Sequence, residues 1–247
     1  MLFLVHRAYS HFFGNMLNDD NPFYDKKELN FTRILDFCFE YVHDNDIQIK
    51  LFDTFDELRR YYNNNIFVEK AIRAYTGESI FCYLFNRAMR TFSKGLMLIS
   101  YFMGRFVFGL NKYVKDNPSF AFSKDMTLYR NIKCKTIDFY LYKLNLNHII
   151  CFPSITSTSS KPQYFEPSAL TNKINNINID DNDIVKIKMI FNYKHKSENK
   201  SPGIIIENKK GHDNKYISKY PYENEVILFP FTFAKITKIE SGIENGK

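Results

Sequence analysis

Tryptophan is absent from the 247 residues, and there are only nine glycines. No GxGxxG and no glycine-rich phosphate loop occurs, which argues against Rossmann and P-loop nucleotide binders. The four cysteines, Cys38, Cys82, Cys134 and Cys151, form no CxxC pair, so a zinc site is not expected. The histidines, His6, His11, His43, His148, His195 and His212, make no metal-spaced pair with a carboxylate or thiol, and HExxH is missing. No metal is therefore expected. No run of five or more basic residues occurs. The most apolar stretch, LMLISYFMGRFVFGL at 96–110, is shorter than the ~18–20 apolar residues a membrane span needs, and Arg105 interrupts it. A buried core helix is expected there, and no membrane span. The N-terminal MLFLV is too short for a signal-peptide core, and His6 and Arg7 break it. A cytoplasmic location is expected, with secretion left open. Free thiols are the default in a reducing compartment, and a disulfide between Cys134 and Cys151 is less favoured.

What is present fits a globular chain with a sizeable core: 45% hydrophobic and 25% charged residues. The length allows one large domain, or one domain with a helical extension. A net charge of +7 could attract nucleic acid, a membrane surface or a phosphorylated small molecule. The lysines are scattered, however, and no nucleic-acid partner is expected.

The first half reads helical. Apolar residues recur at helical spacing from Phe31 to about Val42, and Asp53 is a plausible N-cap for FDTFDELRRYY. IFVEKAIRAYT, SIFCYLFNRAMR and 93–115 give three more helical segments, and Pro118 and Ser119 close the region. The second half changes character. TLYRNIKCK reads as a strand and TIDFYLYKLNL as a short helix. HIICFPSITSTSS reads as one strand ending in a polar turn. An Asn-rich loop covers 172–183, and IVKIKMIFNY alternates as a strand with one buried face. GIIIENKKGHDNKYISKY gives a strand, a loop and a short strand; EVILFPFTFAKITKIE gives two strands linked near Pro230. Helices followed by strands predict an α+β fold with a mainly antiparallel sheet.

Three features then stand in one order. Arg130 lies in the strand TLYRN, Ser157, Thr158 and Ser159 lie in FPSITSTSS, and Glu223 and Glu225 open KYPYENEVILFPFTF. On an extended strand the two acids would share a face, which is costly for like charges unless something uses them. An arginine, an STS triplet and an ExE pair, each on a strand, resemble the R-S-E class of arginine-specific mono-ADP-ribosyltransferases. The flanks resemble that family too: the aromatic-x-S-x-x-STS strand, the valine, aliphatic residue and proline after ExE, and AIRAYTGESIFCYLFNRAMR upstream of the arginine. The resemblance covers roughly residues 65–240. It implies a catalytic domain over 65–247, with two packed, mainly antiparallel sheets, preceded by an N-terminal helical extension over 1–64.

The resemblance further implies NAD as co-substrate and an arginine-containing protein acceptor, with transfer of a pentosyl group and release of nicotinamide. Arg130 would hold the pyrophosphate or adjacent ribose through bidentate charge-assisted bonds; a structural salt bridge is the plainer alternative. Ser157 would hold the ribose or orient Glu225, and Thr158 and Ser159 would shape the strand end beside the cofactor; a polar strand terminus is the plainer alternative. Glu225 would be the catalytic acid residue, stabilising the positive charge that builds on the ribose as nicotinamide leaves. Glu223 would align an arginine acceptor and take up its proton. A solvated pair near Lys219 and Lys235 is the alternative for these acids. Tyr164 and Phe165 would stack on nicotinamide or cover the site, or else pack in the core. Tyr220 and Tyr222 would face the acceptor. The family usually has glycine after its arginine. Here it is Asn131, which tolerates the left-handed φ such a turn would need but brings a side chain beside the cofactor. Two other readings remain: an NAD glycohydrolase, and an inactive NAD- or partner-binding module suggested by Asn131 and the basic surface.

Overall fold

The computed structural model describes residues 53–54, 56–61, 66–77, 80–91, 94–162, 184–196 and 201–239. The helix expected at 31–42, the Asn-rich loop at 172–183, and Tyr164 and Phe165 lie outside the described residues. The chain divides into two compact units, Met1–Ala121 with Asn208–Pro221, and Phe122–Glu207 with Tyr222–Lys247. The boundary expected between residues 64 and 65 falls inside the first unit.

The first unit is helical. Residues 53, 54 and 56–61 are helical, followed by α1 (Phe67–Thr76), α2 (Ile80–Thr91) and α3 (Lys94–Asp116). α1 forms because Phe67, Ala71, Ile72 and Tyr75 recur on one face, and all four are buried. It stops at Gly77. In α3 the same logic puts Phe106, Leu110, Tyr113 and Val114 on a buried stripe, with Phe108, Asn111 and Lys112 exposed. α1 and α3 approach so closely that a Cβ on Gly109 would lie 2.5 Å from the Val68 Cγ2. No described helix is long and apolar enough to cross a membrane.

Segment 208–221 is tied to α1 by side chains far away in sequence. The Glu69 carboxylate is only 5% exposed and accepts the Tyr113 hydroxyl at 2.8 Å and the His212 backbone N–H at 3.0 Å. The His212 ring Nδ1 lies against the same carboxylate. Burial, with the Glu69 hydrogen bond second, pushes the Tyr113 phenol well above its ordinary value. Lys70 pairs with Asp213 at 3.0 Å, Arg73 donates to the Tyr216 carbonyl at 2.6 Å, and the Lys219 N–H donates to the Thr76 hydroxyl at 2.9 Å. These bonds occupy polar groups that a loop would otherwise leave to water. The short strand expected within this segment reduces to a single bridge, Lys210 to Tyr216.

The second unit holds the strands: β1 (Met126–Lys135), β2 (Ile149–Phe152), β3 (Thr156–Ser159), β4 (Ile184–Tyr193), β5 (Gly203–Ile205), β6 (Glu225–Leu228) and β7 (Thr232–Lys235), with α4 (Thr136–Leu144) between β1 and β2. Five strands form one antiparallel sheet in the order β4-β1-β3-β6-β5, and β2 pairs with β7 in a second sheet. The fold class is α+β with two antiparallel sheets. β1 and β4 pair over ten residues, from Met126 opposite Tyr193 to Lys135 opposite Ile184. β4 alternates as its sequence requires: Lys186, Lys188 and Asn192 are exposed, and Ile187, Met189 and Phe191 are partly covered. Phe122, Leu128, Val226 and Leu228 form the buried core beneath the large sheet.

The single strand expected across HIICFPSITSTSS is corrected. It breaks at Pro153 into β2 and β3, which belong to different sheets. Proline has no N–H to continue a ladder, so the chain changes partner there. The same happens at Pro230, where β6 leaves the large sheet and β7 joins the small one. The STS triplet consequently forms the last three residues of β3, and the turn follows it at 160–162.

Candidate functional site

β3 is the central strand of the large sheet, with β1 on one side and β6 on the other. That order brings Arg130, the STS triplet and Glu225 onto three neighbouring strands. Ser159 lies directly opposite Glu225, and Ser157 opposite Ile227. Opposed residues share a face, as do residues two apart, so Ser157, Ser159 and Glu225 lie on one face of the sheet. Thr158 and Val226 take the other face, towards the core.

The Ser157 hydroxyl donates to Glu225 Oε1 at 2.6 Å. Glu225 is 6% exposed, so this charge-assisted bond holds a carboxylate that water barely reaches. Arg130 sits in the middle of β1 opposite Met189, and its guanidinium donates to the Ser157 carbonyl at 2.5 Å. β1 and β3 are in register only at Tyr129 opposite Ser159. The guanidinium thus bridges the strands where their ladder has ended. By alternation Tyr129, and not Arg130, starts on the Ser159 face. The three residues singled out from the sequence nonetheless form one continuous line, guanidinium to Ser157 carbonyl and Ser157 hydroxyl to carboxylate.

The remaining hydroxyls of the triplet bond within the protein. Thr158 is fully buried and donates to the Val226 carbonyl at 2.7 Å. Ser159 donates to the Glu223 carbonyl at 3.0 Å and accepts the Lys161 N–H at 3.1 Å. Ser160 donates its N–H to the Asn224 carbonyl at 3.0 Å and its hydroxyl to Glu207 at 3.2 Å.

Two expectations are corrected. Glu223 and Glu225 do not share a strand face. Glu223 ends a 3-10 turn (Pro221–Glu223), Asn224 adopts φ 53°, and Glu225 begins β6. The left-handed residue between them separates the acids, leaving Glu223 partly exposed and Glu225 buried. Asn131, in turn, takes no left-handed turn. It lies within β1 opposite Lys188, and positive φ falls instead on Asn147, Asn208, Asn214, Asn224 and Phe231 among the described residues. A strand position has no need of glycine's conformational freedom, so Asn131 fits it without strain.

Sequence reasoning missed Asn224 and Tyr129. Asn224 is buried, donates from Nδ2 to the Tyr222 carbonyl at 3.1 Å, and sets the angle between the two glutamates. Its signal was present: asparagine is enriched at left-handed positions. Tyr129 carried no local signal, because its placement depends on the register of distant strands. Tyr222 projects with 75% of its surface exposed. No three-residue cluster of metal-ligating groups occurs among the described residues.

No family model matches the chain, and no curated protein matches it by sequence. Among solved structures, it is similar to the ADP-ribosyltransferase Vis in complex with agmatine, with a TM-score of 0.44 and 16% identity over 71% of this chain and 68% of that one. It is also similar to a mutant of the eukaryotic mono-ADP-ribosyltransferase ART2.2 in complex with NADH, with a TM-score of 0.43 and 14% identity over 86% and 81%. Vis toxin from Vibrio splendidus gives a TM-score of 0.39 and 14% identity over 93% and 85%.

Proposed function

We propose that the protein is a mono-ADP-ribosyltransferase that moves ADP-ribose from NAD to arginine side chains of protein acceptors and releases nicotinamide. The observation that carries this reading is the 2.6 Å bond from the Ser157 hydroxyl to buried Glu225, joined to Arg130 through the Ser157 carbonyl. A guanidinium, a hydroxyl and a fixed carboxylate in one line are the groups needed to hold a pyrophosphate, a ribose and a developing cation.

The chemistry follows from those groups. When the bond between nicotinamide and ribose breaks, the electron pair leaves with nicotinamide and positive charge builds at the anomeric carbon. The Glu225 carboxylate stabilises that charge, and it accelerates the reaction only insofar as it binds the transition state better than NAD itself. Ser157 keeps the carboxylate oriented. Arg130 binds the phosphates electrostatically. Glu223 aligns the acceptor guanidinium and takes up the proton released when the new bond forms at the anomeric carbon. The exposed Tyr222 packs against that guanidinium. The different surroundings of the two glutamates, one buried on Ser157 and one partly exposed at a turn, support separate duties for donor and acceptor.

Two variants test the division. Glu225→Ala should abolish both nicotinamide release and arginine modification. Glu223→Ala should lose modification of agmatine while keeping slow NAD hydrolysis. A Glu223→Ala protein that modifies agmatine as well as the native one overturns the acceptor role, and agmatine left unmodified by a native protein that consumes NAD favours a glycohydrolase.

A further inference from the structure

α4 is amphipathic in an unusual sense, because its apolar side faces solvent. Thr136, Phe139 and Tyr142 are partly covered, and the helix packs on β1 and β4. Ile137, Tyr140, Leu141 and Leu144 recur at helical spacing and are all exposed, Ile137 at 62% and Leu144 at 76%. Exposed Leu146 and Ile149 continue the run into β2. On the small sheet Ile149 is opposite Lys235 and Cys151 opposite Phe233, so one face carries Ile149, Phe233 and Lys235, all exposed. Single exposed apolar residues are ordinary, but a helical stripe followed by a strand face is not.

Charge along the described residues of this surface is mainly positive. Over 135–149 and 232–239 the described residues include Lys135, Lys143, Lys235 and Lys238, and a single acid, Asp138. Lys143 lies over the Phe139 ring at 4.6 Å and the Tyr140 ring at 5.4 Å, keeping its ammonium beside the apolar stripe. We propose that α4 and the adjoining β2–β7 face dock this protein onto an anionic lipid surface. Leucine and isoleucine enter the boundary between headgroups and acyl chains, aromatic residues sit at headgroup depth, and lysines meet the lipid phosphates and carboxylates. A second copy fits less well, because a two-fold interface would set these lysines against each other. A nucleic acid would use the lysines but leave the leucines idle.

The test uses the full chain and sedimentation with vesicles of phosphatidylcholine, alone or mixed with phosphatidylserine. Binding is expected only with phosphatidylserine, and it should weaken as salt rises. Each lysine near the surface is worth about fivefold in affinity, so Lys135→Gln/Lys143→Gln/Lys235→Gln should bind about 100-fold more weakly. Leu141→Ser/Leu144→Ser, both at exposed positions, should lose at least about tenfold while unfolding at the native temperature. Failure to sediment with phosphatidylserine vesicles overturns the proposal. So does unchanged binding by the double-serine variant, which would leave only a generic basic attraction. A dimer in sedimentation velocity that the same variant abolishes would assign the surface to a second copy instead.

Discussion

Ser157→Ala removes one oxygen from the line that joins Arg130 to Glu225. The lost bond is 2.6 Å long and ends on a carboxylate with 6% exposure, so water replaces it poorly. A hydrogen bond to a charged group is worth about 1.5–3 kcal/mol. If Glu225 needs that bond to face the ribose, the same energy appears in the transition state as about a 10- to 100-fold fall in kcat. It also appears in stability: ~2 kcal/mol corresponds to roughly 4–8 °C in Tm for a chain of this size. Nicotinamide release and thermal unfolding should therefore be measured on the same preparation. The expected result is a fall in both, with KM for NAD changing little, since the bond supports Glu225 and not the dinucleotide. A variant that loses Tm but cleaves NAD within twofold of the native rate would make the Ser157–Glu225 bond purely structural and refute the reasoning.

Further outcomes concern the helical unit and the thiols. Gly211→Ala places a Cβ 2.0 Å from a Glu69 carboxylate oxygen, and should destabilise by about 1–3 kcal/mol in thermal unfolding; an unchanged Tm would mean that the 208–221 anchor yields freely. The Lys70 ammonium holds the Asp213 carboxyl below its ordinary value, so the pair stabilises the fold above the unfolded carboxyl's pKa and that contribution is lost as pH falls through the lower, folded value. Asp213→Asn should therefore lower Tm at neutral pH and make no difference in strong acid; an equal deficit at both would contradict the linkage. Burial pushes the Cys134 and Cys151 thiols up, so iodoacetamide should label both more slowly at neutral pH than a free cysteine peptide, and equal rates would refute that environment.

Much of the fold was legible where its cause is local. Phe67, Ala71, Ile72 and Tyr75 announce α1 by spacing alone, and the alternation of Lys186, Ile187, Lys188 and Met189 announces β4. What escaped depends on distance. Pro153 marks a break in a ladder, but not that the two halves join different sheets. Glu69 reads as an ordinary helix-surface acid, yet it is buried against a histidine 143 residues away. At the candidate site, Arg130, Ser157 and Glu225 were legible as types in order, and the strand order β1-β3-β6 then brings them side by side. The relation between Glu223 and Glu225 was misread because strand periodicity was extended two residues too far. Asn224 supplies the left-handed kink that ends it.

The central claim concerns what buried Glu225 does to NAD. Purified protein incubated with NAD should release nicotinamide, faster when agmatine is added, with an ADP-ribosylated agmatine product in the mass spectrum and no release from Glu225→Ala. Native protein that leaves NAD intact, with and without agmatine, would contradict it.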